Sequence, residues 1–281
     1  MTIKNDLEKN GVRDMHQDSP PQKNSILDFV SPTDFVELPS KGLFYKKGHP
    51  LHNKEVIEIK YMTAKEEDIL TNESLLRKGL AIERFMESII LDPNIKAHEL
   101  LIGDRNAILI AARISGYGEK YETKMACPAC ETQNDIVFDI SKPEVFHPNL
   151  EGLRTIKKND RGNYVFKLPV CNFDVECRLL TGKDENELTK QAQAKKKHRL
   201  EASNVTDQFK TMIVSIDGVS DRGILNKFIE VMPASDARAL RNAYKEIIPN
   251  VKLKDTFSCI SCNHEQELEV PFGADFFWPD R

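Results

Sequence analysis

Two short cysteine pairs carry the clearest chemistry in this chain, Cys127-Pro-Ala-Cys130 and Cys259-Ile-Ser-Cys262. Together they offer four thiolates, the number that a tetrahedral structural Zn²⁺ requires. One pair alone cannot complete such a site, so a single ion shared by both is the simplest reading. The spacing is unusual. Residues 131–258 all lie between the pairs, whereas compact four-cysteine motifs are separated by about 15–20 residues. Two local disulfides, a redox dithiol, or vestigial thiols in two ordinary hairpins would use the same residue types. A redox pair, however, normally sits at the start of a helix, whose dipole lowers the thiol pKa. His264, two positions after Cys262, could substitute as a ligand, but a solvated turn histidine is the better reading.

The elements that must position these thiols are strands. Tyr121–Ala126 precedes the first pair and Asp135–Ile140 follows it; Lys254–Ser258 and Glu265–Phe272 repeat the layout around the second. Ile136, Phe138 and Ile140 alternate along one strand face, as do Leu268, Val270 and Phe272, the period of a half-buried strand. Two β-hairpins with thiols at their turns are therefore predicted. The other two cysteines, Cys171 and Cys177, share an alternating face with Phe173, Val175 and Leu179, which reads as core packing.

Composition narrows the function. The 281 residues hold 44 acidic against 40 basic side chains, a formal charge of −4, so no domain-wide basic excess points to nucleic acid or an anionic membrane. The segment Met1–Asn24 lacks the apolar core of a signal peptide, and the apolar run Ala107–Ala112 is much too short to cross a bilayer. The expected compartment is the reducing cytosol, where Cys-x-x-Cys pairs are more often metal sites than disulfides. Phosphate-cradling, nucleophile-elbow and metalloprotease motifs are all missing. Four thiolates also leave no open coordination position for activating water. The expectation is a protein that is not an enzyme.

Along the chain, residues 1–30 are polar and include Ser19-Pro-Pro21, which predicts a disordered arm. Residues 31–118 follow as a strand and helical region. A turn is expected at Pro39–Gly42, a strand over Glu55–Tyr61, and a capping box at Thr63-Ala-Lys-Glu66. Apolar residues then recur at helical spacing through Phe85, Met86, Ile89 and Ile90. Asp104 is the expected N-cap of a helix that Gly116 and Gly118 stop. The first knuckle hairpin occupies 119–145, and an inserted subdomain occupies 146–252. Within it Leu153–Lys158, Tyr164–Leu168 and Phe173–Leu180 read as a three-stranded meander turning at Asp160-Arg-Gly162. Thr181-Gly-Lys-Asp184 caps a polar helix bearing the basic run Lys195–Arg199, which reads as a solvated face. A helix through Phe209, Met212, Ile213 and Ile216 follows, then one through Ile224–Met232, then one capped by Ser235. The second hairpin and an aromatic ending, Phe276-Phe-Trp-Pro279, fill 253–281. Phe276, Phe277 and Trp278 either pack back as a C-terminal lock or anchor a partner. The fold class expected is α+β: a helical N-terminal region, a four-cysteine zinc ribbon of two knuckles, and the inserted meander with its helices.

Several stretches give this chain a family likeness. They are Glu37-Leu-Pro-Ser-Lys-Gly-Leu-Phe-Tyr45, Glu58–Leu70, Leu101–Leu109, the two knuckles with Phe138-Asp-Ile140, and the ending Pro271–Pro279. In this order they resemble the hub and hub-assembly proteins of the baseplate of T4-type contractile-tailed bacteriophages. The resemblance implies a role in building the central hub in the infected bacterium's cytoplasm, with hub subunits as partners and no membrane. It also implies zinc at Cys127, Cys130, Cys259 and Cys262. Members of such a family act either as chaperone-like assembly factors or as components retained in the virion tail. A nucleic-acid-binding zinc ribbon is the reading from another class.

Overall fold

Both predicted hairpins are present in the computed structural model, which describes residues 31–149, 155–198, 203–270 and 276–277. The expected arm at 1–30 lies outside the described residues, and from Pro32 onward the chain forms one compact unit. Its architecture mixes helices with small antiparallel sheets. Strand β1 (Thr33–Glu37) pairs with β2 (Val56–Lys60), which turns Val36, Ile57 and Ile59 inward. Helices α1 (Ala64–Thr71), α2 (Glu73–Lys78), α3 (Ala81–Ile89) and α4 (Ile102–Tyr117) follow. Hairpin β3–β4 (Lys120–Ala126, Gln133–Asp139) leads to β5 (Glu144–Phe146). The insertion comprises β6 (Ile156–Lys158), β7 (Tyr164–Lys167), β8 (Asp174–Cys177), α5 (Gly182–Lys197), α6 (Asn204–Met212), β9 (Ile213–Ile216), α7 (Arg222–Val231) and α8 (Ala234–Ile247). Strand β10 (Asn250–Lys252) and hairpin β11–β12 (Lys254–Ser258, Glu265–Glu269) complete the described fold.

The apolar side chains gather into one core for the body and a second for the insertion, with a small cluster at the cysteines. Phe44 and Leu179 pack against both large cores. The capping box is formed, with the Glu66 carboxylate accepting from the Thr63 N–H at 3.0 Å. Asp104 is not the cap of α4. The helix begins at Ile102, and the fully buried Asp104 carboxylate instead accepts from the Ser40 N–H (2.9 Å), the Ser40 hydroxyl (2.6 Å) and the Tyr45 hydroxyl (2.7 Å). A side chain that serves a distant turn cannot also serve its own helix end. Ser235 likewise lies inside α8, whose N-cap is Pro233.

Two features of the insertion differ from the sequence expectation. Its sheet has four strands in the order β6-β7-β8-β9, because Ile213–Ile216 leaves the helical stripe and pairs with β8, Val175 opposite Ile216. The run Ile-Val-Ser-Ile is rich in β-branched side chains, which fit a pleated sheet better than a helix. Cys177 is fully buried, but Cys171 lies in the turn before β8, partly exposed, and Phe173 is 39% exposed. The strand face therefore begins at Val175. A further ribbon pairs β5 with β10, Phe146 opposite Asn250 and Glu144 opposite Lys252. It brings the entrance and exit of the insertion side by side.

The insertion is fastened to the body at the start of α4. Gly182 N–H donates to the Leu100 carbonyl at 2.9 Å, and buried Arg105 pairs with Glu185. A Cβ on Gly103 would lie 2.1 Å from the Pro249 carbonyl oxygen and 2.9 Å from the Asn250 Cα. These are backbone atoms that cannot swing aside. Gly103→Ala is thus expected to destabilise the fold by about 1–3 kcal/mol or more, read as a lowered midpoint in denaturant unfolding.

Glu66 ties β2, α1 and α3 together. Burial alone would raise its pKa, but Lys60, Ser88 and Thr63 all donate to the carboxylate and hold it down at about 2. A group whose folded pKa is depressed contributes stability above its unfolded pKa, near 4.5, and loses it as pH falls toward the folded value. Melting curves between pH 6 and 2 should show wild type losing an advantage of about 1–3 kcal/mol over Glu66→Gln, with the two converging at the acid end.

Candidate metal centre

Each cysteine pair closes a hairpin with the same local geometry. In the first knuckle the Glu131 N–H donates to the Cys127 carbonyl at 2.8 Å, and the Cys127 N–H to the Thr132 carbonyl at 2.9 Å. In the second, Asn263 donates to Cys259 at 3.0 Å and Cys259 to His264 at 2.9 Å. The residue after each second cysteine is left-handed, Glu131 at φ 61° and Asn263 at φ 54°. Asparagine enters that region readily and glutamate does so only when its surroundings require it. The repeated turn points two sulfurs of each hairpin to one side, so the pair is a preformed two-thiol claw.

The tertiary structure brings the claws face to face. Cys127 Sγ lies 3.7 Å from Cys262 Sγ, and Cys130 Sγ lies 3.6 Å from Cys259 Sγ. All four sulfurs fall within 4.8 Å of one another. Tetrahedral zinc with Zn–S bonds of about 2.3 Å implies sulfurs about 3.8 Å apart, so the donor set fits that ion in number, type and spacing. All four cysteines are free thiols, and a disulfide would need sulfurs about 2.05 Å apart. Cys127 and Cys259 are each 1% exposed over a small apolar base of Phe257, Ile136 and Leu268, while Cys130 and Cys262 face outward.

The electrostatics favour a cation. Burial raises the Cys259 thiol, but the Cys262 and Ser261 N–H groups, with the Cys127 and Cys130 thiols, bring it down to about 6. Cys130 is also lowered, first by the Thr132 hydroxyl. Cys262 ends up near 12: its His264 N–H bond favours the thiolate, but the neighbouring thiols and burial keep it protonated. Protonation is thus interdependent among Cys130, Cys259 and Cys262, and a divalent cation would displace the remaining protons. His264 is not aimed into the cluster; its ring meets Gln266 at 3.4 Å.

Asn134 is the residue that sequence reasoning missed. It is 2% exposed, and its carbonyl oxygen accepts the Ile260 N–H at 3.0 Å. Its amide donates to the Thr132 carbonyl at 2.7 Å and lies 3.7 Å from Cys259 Sγ. One side chain thus spans both knuckles. A buried polar residue on a strand that otherwise alternates is the only sequence signal that could have found it.

The remaining candidate residues sit elsewhere. Phe276 and Phe277 are 1% and 2% exposed within the body core. Phe277 meets Phe85 edge-on at 5.0 Å, and Phe276 lies 5.3 Å from Tyr121. Buried Arg113 donates to the Phe276 carbonyl at 3.2 Å. Both rings are therefore core side chains of the body. Trp278 lies outside the described residues. Glu83, Glu87 and His98 also approach one another within 4.8 Å, but Arg84 and Asn186 already engage the carboxylates. Among the described residues no helix is long and apolar enough to cross a membrane.

No curated protein and no solved structure matches this chain. A family model described as T4 bacteriophage base plate protein matches residues 35–278.

Proposed function

Because this chain belongs to the T4 bacteriophage base plate protein family, we propose that it acts, without catalysing a reaction, in assembling the central hub of the baseplate. In this reading it is a chaperone-like scaffold, present in the host cytoplasm during assembly, and Cys127, Cys130, Cys259 and Cys262 hold a structural zinc. The observation that carries it is the closed four-thiol cluster joining hairpins from opposite ends of the insertion. With four protein ligands no coordination position remains for water or substrate, so the ion's free energy of binding goes into folding. Trp278 is assigned to partner contact, following directly on the two buried phenylalanines in sequence.

Family membership makes other baseplate proteins the partners, and it also favours a second reading, a structural subunit that stays in the finished tail. Mass spectrometry of purified virions separates the two. A transient assembly factor is absent or far below one copy per hub position, and stoichiometric presence would overturn the chaperone role in favour of the subunit.

A further inference from the structure

A groove runs between the inserted subdomain and the β5–β10 ribbon. It has a volume of about 490 Å³, within the range of specific ligand sites. Val251 faces the core, so the alternation of a strand turns Asn250 and Lys252 the other way. They line the groove together with their partners Phe146 and Glu144. The opposite wall is apolar, with Phe209, Met212 and Ile248. The groove continues into a second cavity of about 170 Å³, which shares Gln208, Tyr244, Ile248 and Asn250 and is otherwise lined by residues such as Leu101, Ile102 and Leu179.

The charge of this groove opposes that of the chain. Arg241, Lys245, Lys252 and Lys254 line it against the single carboxylate of Glu144, although the protein carries −4 overall. Lys252 reaches Glu269 at 3.4 Å, and Lys254 reaches Glu267 at 2.9 Å and Glu144 at 3.3 Å. Arg241 and Lys245 have no carboxylate partner among the described residues. They stand four residues apart on α8, where like charges repel and cost stability. An anion laid across them would relieve that repulsion.

We infer that this groove receives an acidic segment of another baseplate protein, with one large apolar side chain of that segment seated in the inner cavity. Carboxylates of the segment would meet Arg241 and Lys245 at the rim, and Phe146 would cover its apolar anchor. The inference relies on the assembly reading only for the partner being another tail protein. The groove holds none of the four cysteines, so metal content and groove binding fail independently.

The test uses the full-length, zinc-loaded protein and fluorescence anisotropy. The probes are a labelled nonapeptide of glutamates around a central phenylalanine, its lysine counterpart, and an oligothymidylate of equal negative charge. The glutamate peptide is expected to bind, to weaken with salt, and to lose about tenfold or more in affinity with Arg241→Glu plus Lys245→Glu. Gln208→Trp, which fills the throat between the cavities without altering a charge, should give a similar loss. If the charge reversal lowers the melting temperature, Arg241→Gln plus Lys245→Gln replaces it. The inference is overturned by any of three results: no glutamate-peptide binding up to about 1 mM, equal binding of the lysine peptide, or binding that the variants leave unchanged. Tighter binding of the oligothymidylate would assign the groove to nucleic acid instead.

Discussion

Cys127→Ser and Cys259→Ser are each expected to lose the bound metal and to melt both knuckles together. Three ligands hold zinc far more weakly than four, and the reason lies in what else holds the hairpins. Strands β3–β4 and β11–β12 are separate two-stranded sheets, a unit that is marginal in water without further support. Tyr121 and Phe138 tie the far end of β3–β4 to the body core, but at the thiol end the shared apolar base is only Phe257 and the two buried cysteines, with Ile136 and Leu268 beside them. In zinc-finger peptides a structural zinc contributes about 10–16 kcal/mol near neutral pH, far more than so small a base can supply. Atomic absorption on protein purified under reducing conditions should give about one zinc per chain for wild type and little for either variant. The melting temperature should fall by about 10 °C or more, and chelator treatment of wild type should reproduce the fall. A variant that keeps both normal stability and normal tails would refute the structural metal. Cys171→Ser serves as the control, since that thiol lies outside the cluster.

Phe277→Ala is the second large effect. The ring is 2% exposed and packs against Phe85 and Phe276, so its removal leaves a cavity that the surrounding helices cannot close. The expected cost is about 3–5 kcal/mol, measured by denaturant unfolding. Trp278→Ala, one residue on, is expected to leave unfolding nearly unchanged while reducing co-purification with baseplate partners. A similar stability loss in both variants would place Trp278 in the core and remove it as a contact residue.

The body and the insertion respond to different parts of this architecture. Loss of a metal from the four thiols would loosen the two knuckles, yet the β5–β10 ribbon, the Gly103–Pro249 contact and the Arg105–Glu185 pair would still hold the insertion's ends. The zinc reading therefore concerns the knuckles first. Gly103→Ala, in contrast, strikes the junction and leaves the thiols in place.

Much of the candidate site was legible in residue order. A Cys-x-x-Cys pair between two alternating runs dictates a hairpin with both sulfurs at its turn, because turn geometry and strand alternation are local. Capping boxes at Thr63 and Thr181 were legible for the same reason: the donors and acceptors lie three residues apart. Where a local signal met a distant partner, the distant partner won. Asp104 carries the composition of a cap but bonds Ser40 and Tyr45 from another segment, and Ile213–Ile216 continues a helical stripe yet completes the sheet beside β8.

The chain's chemistry at the knuckles, then, was determined by its sequence: four thiols and their pairing two by two. That the two pairs meet at all, with sulfurs 3.6 and 3.7 Å apart, was decided only by the tertiary structure, along with the Asn134 bridge between them and the cationic groove beside the insertion. Local spacing sets which atoms a turn can present. Which turns come together across residues 131–258 depends on how the intervening cores pack, and no short pattern encodes that.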